Sequence, residues 1–303
     1  MACLGAHMEL SQGLRLKGRW ELIAPLGEGA CASVWTIRDT RAPGGVADDD
    51  ATLVAKLSRL PPPGAKKGGK KKSEAERVAD ALFWEHQLYA CHLRGLEEAS
   101  ARGGGGAVVP KVPAGAYGEE HGWRFLVMER LGHDLTCELA LHGGAGGAGL
   151  APARAAALAR AALRALAALH QRNVLFVDVK PENFCLAAPA RSGSAAAASG
   201  AALPALRLID FGVAELYMLG GRHKAFKSGA AGCAGTPAYC SLAAHGGDAV
   251  SRRDDIEVRL VHARLVGGGR KGLGGGDGVR TRSASSPSAR CVARRLRRAL
   301  GQF

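Results

Sequence analysis

Two short stretches bring together the residue types that chemistry on a phosphate requires. The stretch VLFVDVKPENF holds Asp178, Lys180 and Asn183 in the order D-x-K-x-x-N, and LIDFG holds Asp210 at its centre. Phosphoryl transfer needs little covalent help from a protein, because its barrier is lowered mainly by positioning groups and neutralising charge. Separated acidic and amide ligands can clamp a metal that bridges phosphates, while a further carboxylate steers the incoming oxygen. These residues therefore predict metal-assisted phosphoryl transfer.

In this order the two stretches match the catalytic loop and the Asp-Phe-Gly motif of protein kinases. A lone Asp-Phe-Gly is a weak signal, since short apolar strands often end in a glycine turn, but both motifs in order are a strong one. The resemblance implies that Asp178 orients the acceptor hydroxyl and that Lys180 stabilises the transferred phosphoryl group. It also implies that Asn183 and Asp210 hold Mg2+ and that ATP is the phosphate donor.

The start of the chain predicts the elements that would cover a nucleotide. Residues 20–37 predict a strand, a glycine turn and a second strand, and the two glycines of LGEGACASV leave room for backbone N–H groups to approach phosphates. The third glycine of the usual G-x-G-x-x-G is Ala32, so the motif alone favours a plain hairpin. The residues predicted to contact the nucleotide here are Leu26, Gly27, Glu28, Gly29 and Val34.

The next two elements predict an ion pair. The apolar strand TLVAKL, 52–57, places Lys56 as in the V-A-I-K motif of kinases. A lysine at a strand edge is the structural alternative, but the order of the motifs favours a cation that holds the α- and β-phosphates. Residues 74–94 have apolar side chains at helical spacing and carry Glu85, the predicted partner of Lys56. Because Glu is common on helix faces, spacing alone does not identify it.

The stretch GWRFLVMERLGHDL predicts a buried strand that runs into a linker. The kinase resemblance implies that Met128 guards the back of the adenine pocket and that backbone groups from Glu129 to Leu131 bind adenine. Any core strand is the structural alternative. Residues 152–170 predict an Ala/Leu helix that leads directly into the catalytic loop.

Two stretches near the end of the recognisable chain, SLAAH at 241–245 and SRRDD at 251–255, narrow the resemblance. They match a Ser-hydrophobic-x-x-His stretch followed by Ser-Arg-Arg-x-Asp, which replaces A-P-E in the casein kinase I superfamily and above all in the vaccinia-related kinases. ALFWEHQLY and RFLVMERLGHDL are similar to that branch too, so the resemblance covers roughly residues 18–257. It makes Asp255 the carboxylate that braces the catalytic loop.

The resemblance implies an α+β fold with two lobes, a small β-rich N-lobe with one helix and a mainly helical C-lobe. It also implies a serine/threonine protein kinase that uses Mg-ATP on protein substrates. The predicted divisions are an N-terminal extension (1–17), an N-lobe with hinge (18–131), a partial C-lobe (132–257) and a basic tail (258–303). The predicted loops and inserts are a basic one at 61–73, a Gly-rich one at 143–149 and a low-complexity one at 188–203.

The chain departs from the kinase pattern in two places. Phe176 and Val177 stand where His and Arg usually precede the catalytic Asp. That Arg normally pairs with an activation-loop phosphate, so we predict that activity needs no phosphorylation there. After Glu257 the family continues with helices that form the floor of the C-lobe, but here Gly runs and Arg pairs show no sustained apolar period. This predicts an incomplete C-lobe, and the composition favours an out-of-frame or unspliced gene end over a real truncation.

Composition limits the other classes of function. A chain of 303 residues suits one large domain or two lobes, and no uncharged apolar run of membrane-spanning length or secretory pattern is present. These features predict an intracellular protein, in the nucleus or cytoplasm, with no membrane contact. The eight cysteines never form C-x-x-C, which argues against zinc and against a disulfide framework. The formal net charge of +14 suggests an anionic partner, although most of the excess lies beyond residue 258.

Three hypotheses follow. The first is an ATP-dependent serine/threonine kinase of vaccinia-related or casein kinase I type. The second is an ATP-binding pseudokinase or scaffold, inactive because the C-lobe is incomplete. The third is a weak nucleic-acid or chromatin contact through the basic segments, which predicts salt-dependent binding. The tail has little aromatic content for base stacking, so the third ranks lowest.

Overall fold

The described residues of the computed structural model are 8–28, 32–42, 52–61, 74–98, 106–142, 150–188, 205–229 and 235–257. The predictions that fall outside these ranges concern Gly29, the 143–149 loop, the 258–303 tail, and the inserts at 61–73 and 188–203 apart from Pro61 and Ala188.

The N-terminal part is built on one antiparallel sheet of six strands in the order β1-β2-β3-β4-β6-β5. Its strands are β1 (Arg15–Leu16), β2 (Trp20–Glu28), β3 (Ser33–Asp39), β4 (Leu53–Arg59), β5 (Tyr117–Glu120) and β6 (Trp123–Glu129). Strand β1 lies inside the predicted N-terminal extension, so the sheet begins earlier than the predicted boundary at residue 18.

The two faces of strand β4 have different environments, because successive side chains of a strand point to opposite sides. Ala55 and Leu57 are fully buried in a core that also contains Trp20 and Phe125. Val54 belongs to the second hydrophobic core of the described residues. Lys56 therefore shares a face with Val54, and this is the face that helix α1 covers.

Helix α1 (Glu74–Cys91) contacts β4 and β6. Of its apolar side chains, Leu82, Leu88 and Tyr89 are buried, while Val78 is only partly buried. Glu85 lies one turn before Tyr89 and is completely buried, so the helix directs this carboxylate inward. A buried carboxylate needs a partner, and the sheet supplies one.

The C-terminal part is mainly helical. Helices α2 (Leu135–His142) and α3 (Pro152–Gln171) come first, and Pro152 lies in the first turn of α3, where a missing N–H costs nothing. The predicted Ala/Leu helix is therefore confirmed. The buried face of α3 is formed by Ala155, Leu158, Ala162, Ala165, Leu166 and Leu169.

Short strands follow α3 and fix the loops between them. They are β7 (Val174–Leu175), β8 (Phe184–Leu186), β9 (Leu206–Leu208), β10 (Glu215–Leu216), β11 (Met218–Leu219) and β12 (Arg222–His223), and they pair as β7 with β10, β8 with β9 and β11 with β12. Strand β8 directly follows Asn183, and β9 ends two residues before Asp210. Their pairing, with Phe184 opposite Leu208, therefore brings the two predicted metal ligands to the same end of a hairpin.

Two short helices end the described chain, α4 (Leu242–His245) and α5 (Arg252–Ile256). Buried Asp254 joins them, because one of its carboxylate oxygens accepts from Ser241 Oγ at 2.7 Å and the other accepts from Ser251 Oγ at 2.6 Å. The stretches SLAAH and SRRDD therefore form one structural unit.

Helix α2 is held by a charge cluster that the sequence did not reveal. The side chain of Glu138 is completely buried and accepts a hydrogen bond from Arg154 of α3. His133 Nε2 lies 2.9 Å and His142 Nδ1 lies 3.4 Å from its Oε2 atom. Burial works to raise the pKa of Glu138, but the hydrogen bonds from Arg154 and His133 outweigh it and lower that pKa. The carboxylate therefore stays ionised and ties α2 to α3.

The structure combines one antiparallel sheet with helices that mostly follow it along the chain, which agrees with the predicted α+β class. Within the described ranges, no helix combines the length and the apolar character needed to cross a membrane.

Candidate active site

The catalytic loop lies between β7 and β8 and ends in a single turn of 3-10 helix, Pro181–Asn183. Asp178 is mostly buried, and Asn183 Nδ2 donates to its main-chain oxygen at 2.9 Å and to its Oδ2 at 3.2 Å. Lys180 Nζ lies 2.7 Å from the same Oδ2. The three residues of the D-x-K-x-x-N pattern thus form one contiguous group.

Thr236, which sequence reasoning did not single out, closes this group from the opposite side. Its N–H donates to Asp178 Oδ1 at 2.7 Å, and Lys180 Nζ donates to its Oγ1 at 3.1 Å. The preceding Gly235 has φ +90°, and a Cβ at that position would lie 3.0 Å from the carbonyl oxygen of Val177. Only glycine fits this approach without strain. The carboxylate of Asp178 is thereby fixed at both oxygens.

The carboxylate of Asp255 holds the backbone of the predicted catalytic loop. Its Oδ2 accepts from the Phe176 N–H at 2.8 Å and lies 2.8 Å from His170 Nε2, while its Oδ1 accepts from the Val177 N–H at 2.8 Å. Val177 has φ +71°, a conformation that is strained for a β-branched residue. The buried carboxylate therefore satisfies two adjacent N–H groups beside a strained residue that immediately precedes Asp178.

The predicted ion pair is present and has a third member. Lys56 Nζ lies 2.7 Å from Glu85 Oε2 and 2.7 Å from Asp210 Oδ1. The structure therefore brings together three side chains from β4, α1 and the loop after β9. The Asp210 side chain is 45% exposed, so this carboxylate remains accessible to a ligand.

The electrostatics of this trio favour the charged lysine. Burial works to lower the pKa of Lys56, but the two carboxylates outweigh it and raise that pKa. The pKa of Glu85 is raised, because burial outweighs the attraction of Lys56. For Asp210, removal from water works to raise the pKa, but Lys56 outweighs it and the pKa is lowered. Of the two carboxylates, Asp210 is the more firmly ionised and thus the better suited to bind a cation.

Phe176 occupies the interior rather than the solvent. It is completely buried and makes edge-on ring contacts with Phe184, at 6.2 Å between centroids, and with Phe211, at 5.2 Å. Phe211 in turn makes an edge-on contact with Tyr89 of α1 at 5.5 Å. An apolar ring can therefore take the place of the usual His, because its neighbours at this point are aromatic.

The predicted adenine-binding residues lie where β6 ends. Met128 is buried in the core, and Glu129 pairs through its backbone with Leu53 of β4. The Arg130 N–H donates to Thr52 O at 2.8 Å. Among the described residues, the Leu131 N–H donates to no backbone carbonyl.

The predicted glycine-rich loop is described in part. Gly27 lies opposite Val34 and Glu28 opposite Ser33, so β2 and β3 form the expected hairpin. The side chain of Leu26 is half exposed, and a Cβ on Gly27 would meet no atom of the described residues within 4 Å. A tight contact with these residues is therefore not the reason for glycine at position 27.

Asn183 and Asp210 have the donor chemistry of a magnesium site. Since Asn183 turns its amide nitrogen toward Asp178, its amide oxygen faces away from that carboxylate and could serve as a metal ligand. Asp210 adds a carboxylate, and both are the hard oxygen donors that Mg2+ prefers. The Ile209 N–H donates to Asn183 O at 3.0 Å, which keeps the two residues together. No cluster of three or more His, Cys, Asp or Glu side chains able to hold a metal occurs in the described ranges.

The cysteines of the described residues are in two states. Cys240 is in a disulfide, whereas Cys91, Cys137 and Cys185 are free thiols. The Cys240 Sγ also lies 3.5 Å from the carbonyl oxygen of Thr236, beside the catalytic loop.

Comparison with known proteins favours a kinase over another protein that handles phosphate. Residues 115–243 match the family model described as the protein kinase domain. The chain is therefore similar to protein kinases over these residues. The match runs from just before β5 into α4 and includes the whole catalytic loop and Asp210. Lys56 and Glu85 precede it, so their assignment depends on the geometry alone.

Curated relatives agree with this result. Casein kinase I homolog 3 of Schizosaccharomyces pombe is 28% identical over 160 residues, which cover 49% of this chain and 31% of that protein. The probable serine/threonine-protein kinase FPV226 of fowlpox virus is 32% identical over 90 residues, which cover 29% of this chain and 26% of that protein. The aligned part of the chain thus spans about a third or less of each relative. The predicted protein-kinase fold is confirmed, whereas the vaccinia-related branch stays a prediction.

Proposed function

We propose that this kinase domain transfers the γ-phosphate of Mg-ATP to serine or threonine hydroxyls of protein substrates. One observation carries the proposal above all: the carboxylate of Asp178, with Lys180 at 2.7 Å and Thr236 at 2.7 Å, is fixed beside Asn183, a proposed metal ligand. A fixed carboxylate can orient an incoming hydroxyl and accept its proton during transfer.

The roles at the transfer site follow from the contacts. Asp178 would accept the hydrogen bond of the acceptor hydroxyl, and Lys180 would neutralise charge on the transferred group. Asn183 and Asp210 would hold Mg2+, which when bound neutralises charge on the phosphates. Thr236 would keep Asp178 in place.

The roles at the nucleotide end follow from the ion trio and the sheet. Lys56 would hold the α- and β-phosphates, oriented by Glu85. Adenine would lie against Met128 and hydrogen-bond to backbone groups from Glu129 to Leu131. The residues proposed to cover the nucleotide are Leu26, Gly27, Glu28, Gly29 and Val34.

We propose that the domain belongs to the vaccinia-related branch of the casein kinase I superfamily. Asp254 supports this placement, since it links Ser241 of SLAAH to Ser251 of SRRDD and gives the two unusual stretches a common structural purpose. A fission-yeast casein kinase I homolog and a fowlpox virus kinase are among the relatives, which agrees with the placement. The lobe boundary near residue 131 and residence in the nucleus or cytoplasm belong to the same proposal.

The second candidate is an ATP-binding protein without transfer activity. Phe176 and Val177 favour it, because the usual His and Arg are both absent. Asp178→Asn separates the two candidates. A kinase should lose nearly all transfer of labelled phosphate from ATP to casein or to a Ser/Thr peptide library, while its affinity for Mg-ATP stays within about threefold.

Asp39→Asn is the matched control, because Asp39, the last residue of β3, pairs with Arg19 and takes no part in the site. It should retain full transfer. Binding of Mg-ATP without transfer by the unaltered chain would favour the second candidate, and the absence of both would reject both. Phosphoamino-acid analysis of the product tests the preference for serine and threonine over tyrosine.

A further inference from the structure

The side chain of Glu129 points away from the predicted adenine contacts and binds two other segments. Its Oε2 accepts a hydrogen bond from the Lys111 N–H at 3.0 Å and forms an ion pair with Arg207 of β9. The Glu129 N–H donates in turn to Lys111 O at 2.8 Å. Glu129, the first residue of the predicted hinge, is therefore held by Lys111 through its backbone and by Lys111 and Arg207 through its side chain.

The buried charge of Arg207 is compensated by its ion pair with Glu129. Only 12% of its side chain is exposed, against 25% for Glu129, and its Nε is buried without a hydrogen-bond partner among the described residues. A guanidinium removed from water is costly unless a carboxylate compensates it. The ion pair is thus a fixed joint between β6 and β9 rather than a mobile surface contact.

Strand β9 connects this ion pair to the predicted metal site. Leu208, the next residue, lies opposite Phe184, and the Ile209 N–H donates to Asn183 O at 3.0 Å. Asp210 follows and pairs with Lys56. Only Leu208 and Ile209 therefore separate the hinge joint from Asp210, and Ile209 also binds the backbone of Asn183, the second predicted metal ligand.

We infer that Arg207 is a positioning residue that sets the distance between the adenine end and the metal end of the nucleotide site. The inference rests on the proposed function, since it assigns ATP to this cleft. A ligand that contacts only the hinge should bind with the same affinity whether or not the Glu129–Arg207 ion pair is present. A ligand that spans both ends should bind well only when the joint is intact, because both sets of contacts must form at once.

The test compares two ligands by isothermal titration calorimetry of the full chain. Adenosine probes the hinge alone, and Mg-ATP probes both ends. For Arg207→Gln we expect the Kd for Mg-ATP to rise about tenfold and the Kd for adenosine to stay within about twofold. Arg207→Lys, which restores the positive charge, should recover most of the lost affinity.

Arg19→Gln is the matched control. Arg19 also forms a partly buried ion pair, with Asp39 at 2.7 Å, but it lies away from the cleft. Its loss should lower the melting temperature and leave both affinities unchanged. If Arg207→Gln does not fold, Glu129→Gln gives the same comparison, because the amide keeps an acceptor for Lys111 and removes only the charge.

Two results would overturn the inference while leaving the proposed function intact. One is an unchanged Kd for Mg-ATP in a folded Arg207→Gln variant, and the other is an equal loss of affinity for both ligands, which would indicate a purely structural role. Failure of the unaltered chain to bind Mg-ATP would instead refute the proposed function, and the inference with it.

Discussion

The replacement of Asp255 by Asn tests whether the catalytic loop is held in its strained conformation by one carboxylate. Asp255 is 3% exposed and accepts from the Phe176 and Val177 N–H groups through different oxygens, each at 2.8 Å. Asparagine has nearly the same shape but only one acceptor oxygen. One of the two backbone N–H groups would therefore face an amide NH2 group, which cannot accept.

The expected loss follows from these contacts. A buried N–H left without an acceptor costs about 1–3 kcal/mol, and the bond that remains loses its charge assistance. We expect Asp255→Asn to lower the free energy of unfolding by about 2–3 kcal/mol. Because Val177 has φ +71° and is bonded directly to Asp178, relaxation there should also displace the catalytic carboxylate. A displacement of that kind should lower kcat about tenfold or more.

Urea denaturation measures the first effect, and phosphate transfer at saturating Mg-ATP measures the second. Asp254→Asn is the matched control, since Asp254 is equally buried and also binds through both oxygens, but to Ser241 and Ser251. It should lose stability and keep kcat within about threefold. A stability change below about 0.5 kcal/mol for Asp255→Asn, or an equal kcat loss in both variants, would refute this reasoning.

Three further outcomes are expected. Phe176→Ala removes a fully buried ring from contact with two aromatic neighbours, Phe184 and Phe211, and should cost about 3–5 kcal/mol in urea unfolding, whereas Phe176→Leu should cost clearly less; equal costs would contradict the packing role. The folded-state pKa of Glu138 lies below its ordinary 4.5, so its stabilisation is present above that value and is lost as the pH falls through the lower folded value. Between about pH 5 and about pH 3 the unfolding free energy should fall more steeply for the unaltered chain than for Glu138→Gln, and parallel curves would refute the shift. Burial raises the pKa of Cys185 to about 12, so iodoacetamide followed by peptide mass spectrometry should label exposed Cys91 and spare Cys185; comparable labelling would show that Cys185 is accessible.

Most of the local structure could be predicted from the sequence, because its signals are local. The apolar run TLVAKL predicts β4, and the apolar spacing of the following segment predicts α1. The Ala/Leu run predicts α3 to within one residue. The order of D-x-K-x-x-N and Asp-Phe-Gly predicts a kinase-like site, which the match to the protein kinase domain agrees with.

The side-chain contacts that hold the site together could not be predicted from local sequence signals. Lys56 meets Asp210 from 154 residues away, and Thr236 meets Asp178 from 58 residues away, with no spacing rule that connects them. The buried Glu138 and the Glu129–Arg207 pair look like ordinary surface charges in the sequence. Their burial depends on which elements pack against them.

The sequence by itself determined which residue types are present and which segments become strands or helices, because propensity and periodicity act over a few neighbouring residues. Only the tertiary structure decided which charges are buried and what they bind. Phe176 illustrates the difference, since the sequence shows only that the usual His is missing. The fold surrounds this ring with Phe184 and Phe211 and places the carboxylate of Asp255 on its N–H. Burial and partner choice depend on contacts between distant segments, and those contacts exist only after the chain has folded.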